Sequence, residues 1–173
     1  MRWLLAIVLL AGCGDDGGNG ECTGVGVAGV SGATISVDNQ TFGYGNFDWG
    51  KHNDCGVDSV TIQGRQVTPP SDFGIGLCLP NPDAIGSAPV SLADRSLVQL
   101  QGASAQSSTC IYQFLATATP TGTVTFGGFC TTSGASFTVT FAGSVAAMRT
   151  CTGGAPEATA LNLGGTALVT ERP

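Results

Sequence analysis

The segment Phe137-Thr138-Val139-Thr140-Phe141 alternates large apolar side chains with threonine. Successive side chains of a β-strand point to opposite faces of the sheet, so this alternation predicts a strand with one buried and one wet face. The same pattern recurs in three further segments, at residues 33–37, 60–63 and 98–101. The chain is therefore predicted to belong to the all-β class.

Turn-forming residues separate these strands and several others. The further strand candidates are residues 73–79, 110–117, 123–129, 144–149 and 166–170, and the predicted turns are 68–72, 80–83, 120–122 and 152–156. Such spacing favours a single antiparallel β-sandwich, of jelly-roll or immunoglobulin-like topology, over residues 22–173. A helix competes at 91–101, where Ser91 and Asp94 imitate a capping box, but we expect a strand in its second half.

The composition predicts a folded core in spite of 27 glycines. Hydrophobic residues make up 42% of the chain and charged residues 10%, the opposite of the balance typical of disordered chains. We expect the core to be filled by the strand valines and by five named side chains: Phe114, Phe126, Phe137, Val139 and Phe141.

The N-terminus carries a motif of a different kind. Leu10-Ala11-Gly12-Cys13 closes a short apolar run that follows Met1-Arg2, and this run is too short to span a bilayer. The motif resembles the lipobox of bacterial lipoproteins. The resemblance implies a signal peptide at 1–12, cleavage before Cys13, diacylglyceryl attachment to its sulfur, and a membrane partner through this anchor.

Residues 13–21 then form a lipidated, glycine-rich tether, because residues 14–20 hold glycine, aspartate and asparagine alone. Gly14 follows the lipidated cysteine where some bacteria use aspartate to retain lipoproteins at the inner membrane. The resemblance therefore favours the outer membrane of a bacterial cell envelope.

The remaining cysteines predict disulfides. Assigning Cys13 to lipid leaves an even set: Cys22, Cys55, Cys78, Cys110, Cys130 and Cys151. None of them forms the Cys-x-x-Cys pair that is typical of zinc sites, and an exported chain meets an oxidising compartment. Joining sequence neighbours first predicts Cys55–Cys78, Cys110–Cys130 and Cys22–Cys151.

The charge of the chain argues against a nucleic-acid partner. It carries 6 Lys and Arg against 12 Asp and Glu, for a net charge of −6, and its cations are scattered singly. Phosphate binding needs clustered cations.

The most unusual segment is residues 42–50, where aromatic residues alternate with glycines. If this segment is a loop, its rings and neighbouring polar groups make a candidate ligand patch for a glycan. The alternative is that the rings cap one end of the sandwich and the glycines serve turns. The patch consists of Tyr44, Asn46, Asp48, Trp49 and Asp54.

Catalytic chemistry has one candidate centre. His52 is the sole histidine, and Asp48, Asp54 and Asp58 lie near it in sequence, so a hydrolase would be centred there. The spacing fits no EF-hand calcium loop, and aspartates serve loops without any ligand. We expect no catalytic residues, no metal and no cofactor. The sequence favours a non-enzymatic envelope module that binds a glycan or an envelope protein, or has a structural role.

Overall fold

The computed structural model describes residues 30–68 and 71–173, and within these ranges the chain is built from β-strands. The predicted signal peptide and tether, with Cys13 and Cys22, lie outside the described residues. No helix in the described part of the chain has the length and apolar character needed to cross a membrane. The strands are β1 Gly32–Val37, β2 Gln40–Tyr44, β3 Asn46–His52, β4 Ser59–Thr68, β5 Ser71–Leu79, β6 Val90–Ser91, β7 Gln99–Gln106, β8 Cys110–Phe114, β9 Thr121–Gly127, β10 Ser136–Cys151 and β11 Glu157–Glu171.

All these strands join in one sheet, in the order β2-β1-β11-β3-β4-β5-β7-β8-β10-β9-β6, and β10 also pairs with β11. The β10–β11 pairing closes the ladder into a circuit, so the sheet folds over a single core like a sandwich. Every pairing in the described residues is antiparallel except that of β3 with β11. The predicted all-β class is confirmed.

The two longest strands form the spine of the fold. Residues 137–141 and 144–149, predicted as two strands, belong to the single strand β10, of 16 residues. Residues 166–170 lie at the end of β11, which has 15 residues. The alternation of buried and outer side chains continues past Gly143, and the neighbour of β10 changes from β9, which pairs up to Ser144, to β8, which pairs from Ala147. The predicted turn at 152–156 joins β10 to β11, with Gly153 at a positive φ of 76°.

The other predicted strands overlap β1, β4, β5, β8 and β9, and the predicted segments 110–117 and 123–129 run past the ends of β8 and β9. The ambiguous segment 91–101 begins as turns, in which the N–H groups of Leu97 and Val98 both donate to the Asp94 carbonyl. It becomes a strand at Gln99, so the second half is extended as predicted.

The core is rich in aromatic and branched side chains. Phe126, Phe137, Val139 and Phe141 are buried as expected. Phe114 is the exception, because it lies at the end of β8, half-buried and only packed against the edge of the core.

Disulfides cross-link the sheet, although the predicted pairing is only partly correct. Cys55–Cys78 forms as predicted. Cys110 pairs with Cys151, so the predicted Cys110–Cys130 and Cys22–Cys151 bridges are wrong. The reason is register: antiparallel pairing of β8 with β10 sets Cys110 opposite Cys151, with a Cα–Cα distance of 4.0 Å. Cys130 is also disulfide-bonded.

Candidate functional site: a groove on the outer face of the sheet

The aromatic segment 42–50 is not a loop, so that prediction is wrong. It forms β2 and β3, which meet at Gly45, and the Phe42 and Phe47 side chains are buried. Trp49 is 1% exposed, and its indole N–H donates to the Ala135 carbonyl at 3.0 Å. The ring of Trp49 is therefore part of the core and has no free face for a sugar.

The other members of the predicted patch are not gathered with Trp49 on one surface. Tyr44 is half-buried against the core, and Asn46 is exposed at the start of β3. Asp54 is exposed in the loop that follows β3. Period-two spacing of Phe42 with Tyr44, and of Phe47 with Trp49, was the signal for two strands.

Asp48 and His52 meet at the guanidinium of Arg172. The parallel pairing of β3 with β11 brings Arg172, just past the end of β11, beside β3. Arg172 Nε donates to Asp48 Oδ1 at 2.8 Å, and its Nη1 lies 3.4 Å from His52 Nε2. This ion pair fastens the C-terminal end of the chain to β3, which is a structural use of both side chains.

The other aspartates of the predicted catalytic centre serve the loop at 53–58. The Asp58 N–H donates to Asn53 Oδ1 at 3.1 Å, and Asp58 adopts a positive φ of 56°. Within the described ranges, no three histidine, cysteine or acidic side chains are grouped so as to hold a metal ion.

A second charged cluster fastens the β1–β2 turn to the end of the β10–β11 hairpin. Arg149 Nη1 donates to Asp38 Oδ2 at 2.9 Å, and its Nη2 forms an ion pair with Glu157. Hydrogen bonds to Glu157 and Asp38 raise the pKa of Arg149. Burial, and then the neighbouring Asp38 carboxylate, raise the pKa of Tyr112 on β8.

The strongest candidate site lies on the outer face of the sheet, where β4, β5, β7 and β8 run side by side. A cavity of about 510 Å³ opens there, and a second of about 310 Å³ adjoins it. The two share the residues Gln101, Phe114 and Ala116, so they make one continuous depression, which we call the outer-face groove. Cavities of this size are typical of ligand sites.

Polar side chains on the outward positions of these strands line the groove. Gln63 and Arg65 project from β4, Ser104 from β7 and Gln113 from β8, whereas β5 contributes Gly74 and Gly76. Arg65 faces Asp72 across the β4–β5 hairpin, with 3.8 Å between Nη2 and Oδ2. The lining thus offers side-chain amides, one hydroxyl, and a positive and a negative group that face each other.

A β-bulge shapes the middle of the groove. Gly76 on β5 pairs with Gly102 on β7, but the next residue, Leu77, pairs with Leu100, so Gln101 is the extra residue. Gln101 is exposed and lies where the two cavities meet. Bulges are over-represented beside functional sites because they re-aim a side chain.

A smaller cleft of about 430 Å³ lies between β2 and the β4–β5 hairpin, lined by Gln40, Phe42 and Phe73 among others. Phe42 and Gly43 of the aromatic segment border this cleft. Its aromatic walls, Phe42 and Phe73, are buried side chains of the core.

Sequence reasoning missed the groove residues Gln63, Gln101, Gln113, Gly102 and Phe114. A signal was present, because outward polar positions alternate with buried ones in β4 and β8. No protein-family model, curated protein or solved structure matches the chain.

Proposed function

We propose that this chain is a lipid-anchored lipoprotein of the bacterial cell envelope, and that its domain is a non-enzymatic binding module. The outer-face groove holds the ligand, and the anchor at Cys13 keeps the domain at a membrane surface. The outer membrane is the proposed location.

The compartment is supported by two independent features of the chain. The segment Leu10-Ala11-Gly12-Cys13 resembles a lipobox, and the disulfides Cys55–Cys78 and Cys110–Cys151 suit an oxidising environment. Such bridges form and persist in exported bacterial proteins and are rare in the cytosol.

The single observation that carries the binding role is the outer-face groove itself. It is an open, concave surface on four hydrogen-bonded strands, lined by polar and apolar atoms in equal measure, and the Cys55–Cys78 bridge ties β5, in its floor, to the loop after β3. A site on strands is held more rigidly than a site on loops, so its side chains are positioned before the ligand arrives. The reactive groups Asp48 and His52 instead both contact Arg172, Asp48 through an ion pair and His52 through a ring nitrogen within hydrogen-bond distance.

Intact mass tests the anchor. We expect protein extracted from membranes to have the mass of residues 13–173 plus acyl groups. Its thiols should react with a labelling reagent only after the protein has been reduced. An unlipidated mass, or thiols that react without reduction, contradicts the proposed anchor and compartment.

Retention on isolated bacterial cell envelopes tests the groove. The full chain in detergent is mixed with envelope material from which the membrane lipid has been extracted, so that the acyl anchor has no bilayer to enter. The bound fraction is measured for wild type, Gln113→Ala and Gln106→Ala. Gln113 lines the groove, whereas the equally exposed Gln106 lies at the end of β7 outside it. We expect Gln113→Ala alone to weaken retention, and equal retention of both variants and wild type contradicts a binding role for the groove.

A further inference from the structure

The outer-face groove is long and open rather than deep. Its two cavities, about 510 and 310 Å³, are continuous through Gln101, Phe114 and Ala116. It runs across neighbouring strands from the Arg65 side to the Arg95 side. A depression of this form suits a chain-like ligand that lies along it better than a compact molecule, which a deep pocket encloses.

The floor of the groove is bare backbone. A Cβ atom on Gly102 would meet nothing within 4 Å, and a Cβ atom on Gly76 would make only ordinary contact, at 3.8 Å, with the Cβ of Gln101. Neither position needs glycine for a positive φ. Since the fold has room for a side chain at both positions, the glycines leave space for something outside the chain to approach the sheet.

The side chains around this floor match hydroxyl groups. Each glutamine amide offers two donors and one acceptor, and Gln63, Gln101 and Gln113 are all exposed in the groove. A sugar hydroxyl both donates and accepts, so a row of amides satisfies it on either side. Half-buried Phe114, where the two cavities join, adds apolar surface to this polar set, the combination typical of small-ligand sites.

The charges in the groove favour a neutral ligand. Arg65 and Asp72 oppose each other at 3.8 Å, and the remaining cation, Arg95, stands at the far end. An anionic polymer requires clustered cations, and the whole chain carries a net charge of −6.

The hydrogen-bonding pattern of the sheet favours a glycan over an extended peptide. Peptides commonly bind sheets by adding a strand to a free edge. At the groove, β5 is already paired with β4 and β7, and β7 with β5 and β8, so both edges of these strands are occupied. Recognition there must come from outward side chains.

We infer that the outer-face groove binds a neutral glycan chain lying extended across β4, β5, β7 and β8. This inference rests on the proposed binding function and names its ligand class. The ligand lies on the backbone at Gly76 and Gly102, and the three glutamines hydrogen-bond to its hydroxyls.

The experiment measures binding of the full chain in detergent to neutral hexasaccharides of glucose, mannose, xylose and N-acetylglucosamine by calorimetry. Gly102→Ala adds one methyl group to the floor, and Gly86→Ala adds one at an exposed loop position where a Cβ also meets nothing within 4 Å. We expect at least one hexasaccharide to bind, Gly102→Ala to weaken it by about tenfold or more, and Gly86→Ala to leave its Kd unchanged. Thermal denaturation checks that both variants remain folded.

Envelope retention, measured in parallel with each hexasaccharide as competitor, separates this inference from the proposed function. If Gln113→Ala loses envelope retention, but no hexasaccharide binds the chain or competes with the envelope, the inference of a glycan ligand is wrong and the proposed binding function still holds. Competition by heparin or by an unstructured peptide alone, or equal hexasaccharide binding by Gly102→Ala and wild type, also overturns the inference. Absence of retention together with absence of hexasaccharide binding overturns both.

Discussion

Trp49 gives the sharpest test of how the aromatic segment is used. Its side chain is 1% exposed, its N–H donates to the Ala135 carbonyl at 3.0 Å, and its ring centroid lies 6.4 Å from that of Phe137. Trp49→Ala removes a fully buried ring and a hydrogen bond between distant parts of the chain. Truncation of a buried tryptophan costs about 3 to 5 kcal/mol, which corresponds to a fall in Tm of about 10 °C.

Trp49→Phe separates the ring from its hydrogen bond. Phenylalanine keeps most of the apolar contact but leaves the Ala135 carbonyl without its donor, so we expect a smaller loss of about 1 to 2 kcal/mol. Urea titration followed by circular dichroism measures the free energy of unfolding of each variant. Tyr44→Ala is the comparison in the same aromatic segment, and because Tyr44 is only half-buried its cost should be the smaller of the two alanine variants.

The result that refutes this reasoning is specific. If the free energy of unfolding of Trp49→Ala lies within about 0.5 kcal/mol of that of wild type, the side chain is not in the core, and the segment 42–50 regains the exposed loop role that was one of its two sequence interpretations. A loss of envelope retention in a Trp49→Ala variant of unchanged stability would point the same way.

Three further predictions concern pH, backbone and cross-links. Because burial and Asp38 raise the pKa of Tyr112, the unfolded chain loses this proton first, and stability should fall as pH rises above about 10; urea titration of wild type and Tyr112→Phe at a series of pH values measures this fall, and the same pH dependence in both proteins contradicts it. Gly165 has a φ of +80°, and a Cβ atom at this position would collide with the backbone of β1 at Gly32, so Gly165→Ala should lower the Tm, whereas an unchanged Tm contradicts the crowding. Replacing Cys110 and Cys151 with serine opens a loop of 41 residues and should lower the free energy of unfolding, measured by urea titration, by about 4 kcal/mol. The Cys55–Cys78 bridge spans 23 residues, so its removal should cost less; the opposite order contradicts the loop-length argument.

Local alternation was enough to predict the class of the fold. The segments 33–37, 60–63 and 137–141 each carry their period within a few residues, and all lie in strands. The full lengths of β10 and β11 were not predicted, because a glycine such as the one at 143 is typical of a break between strands. In the structure, neighbouring strands pack closely against Gly143, and β10 continues through it.

The disulfide pairing and the groove depend on long-range register, which local patterns do not contain. Cys110 and Cys151 become neighbours only when β8 pairs with β10. Likewise Gln63, Gln101 and Gln113 belong to three different strands, and the sheet order alone brings them to one surface. Phe114 was assigned to the core because it is aromatic, but its place at the end of β8 leaves it half-exposed.

Hydroxyl-radical footprinting on isolated envelopes tests the central claim most directly, since it asks which surface the ligand covers. Phe114 and Tyr44 are both half-buried aromatics, one at the centre of the outer-face groove and the other in the aromatic segment outside it. Mass spectrometry reads the oxidation of each side chain in the free and the envelope-bound full chain. We predict that binding protects Phe114 and leaves Tyr44 unchanged; protection of Tyr44 with no change at Phe114 would contradict the account.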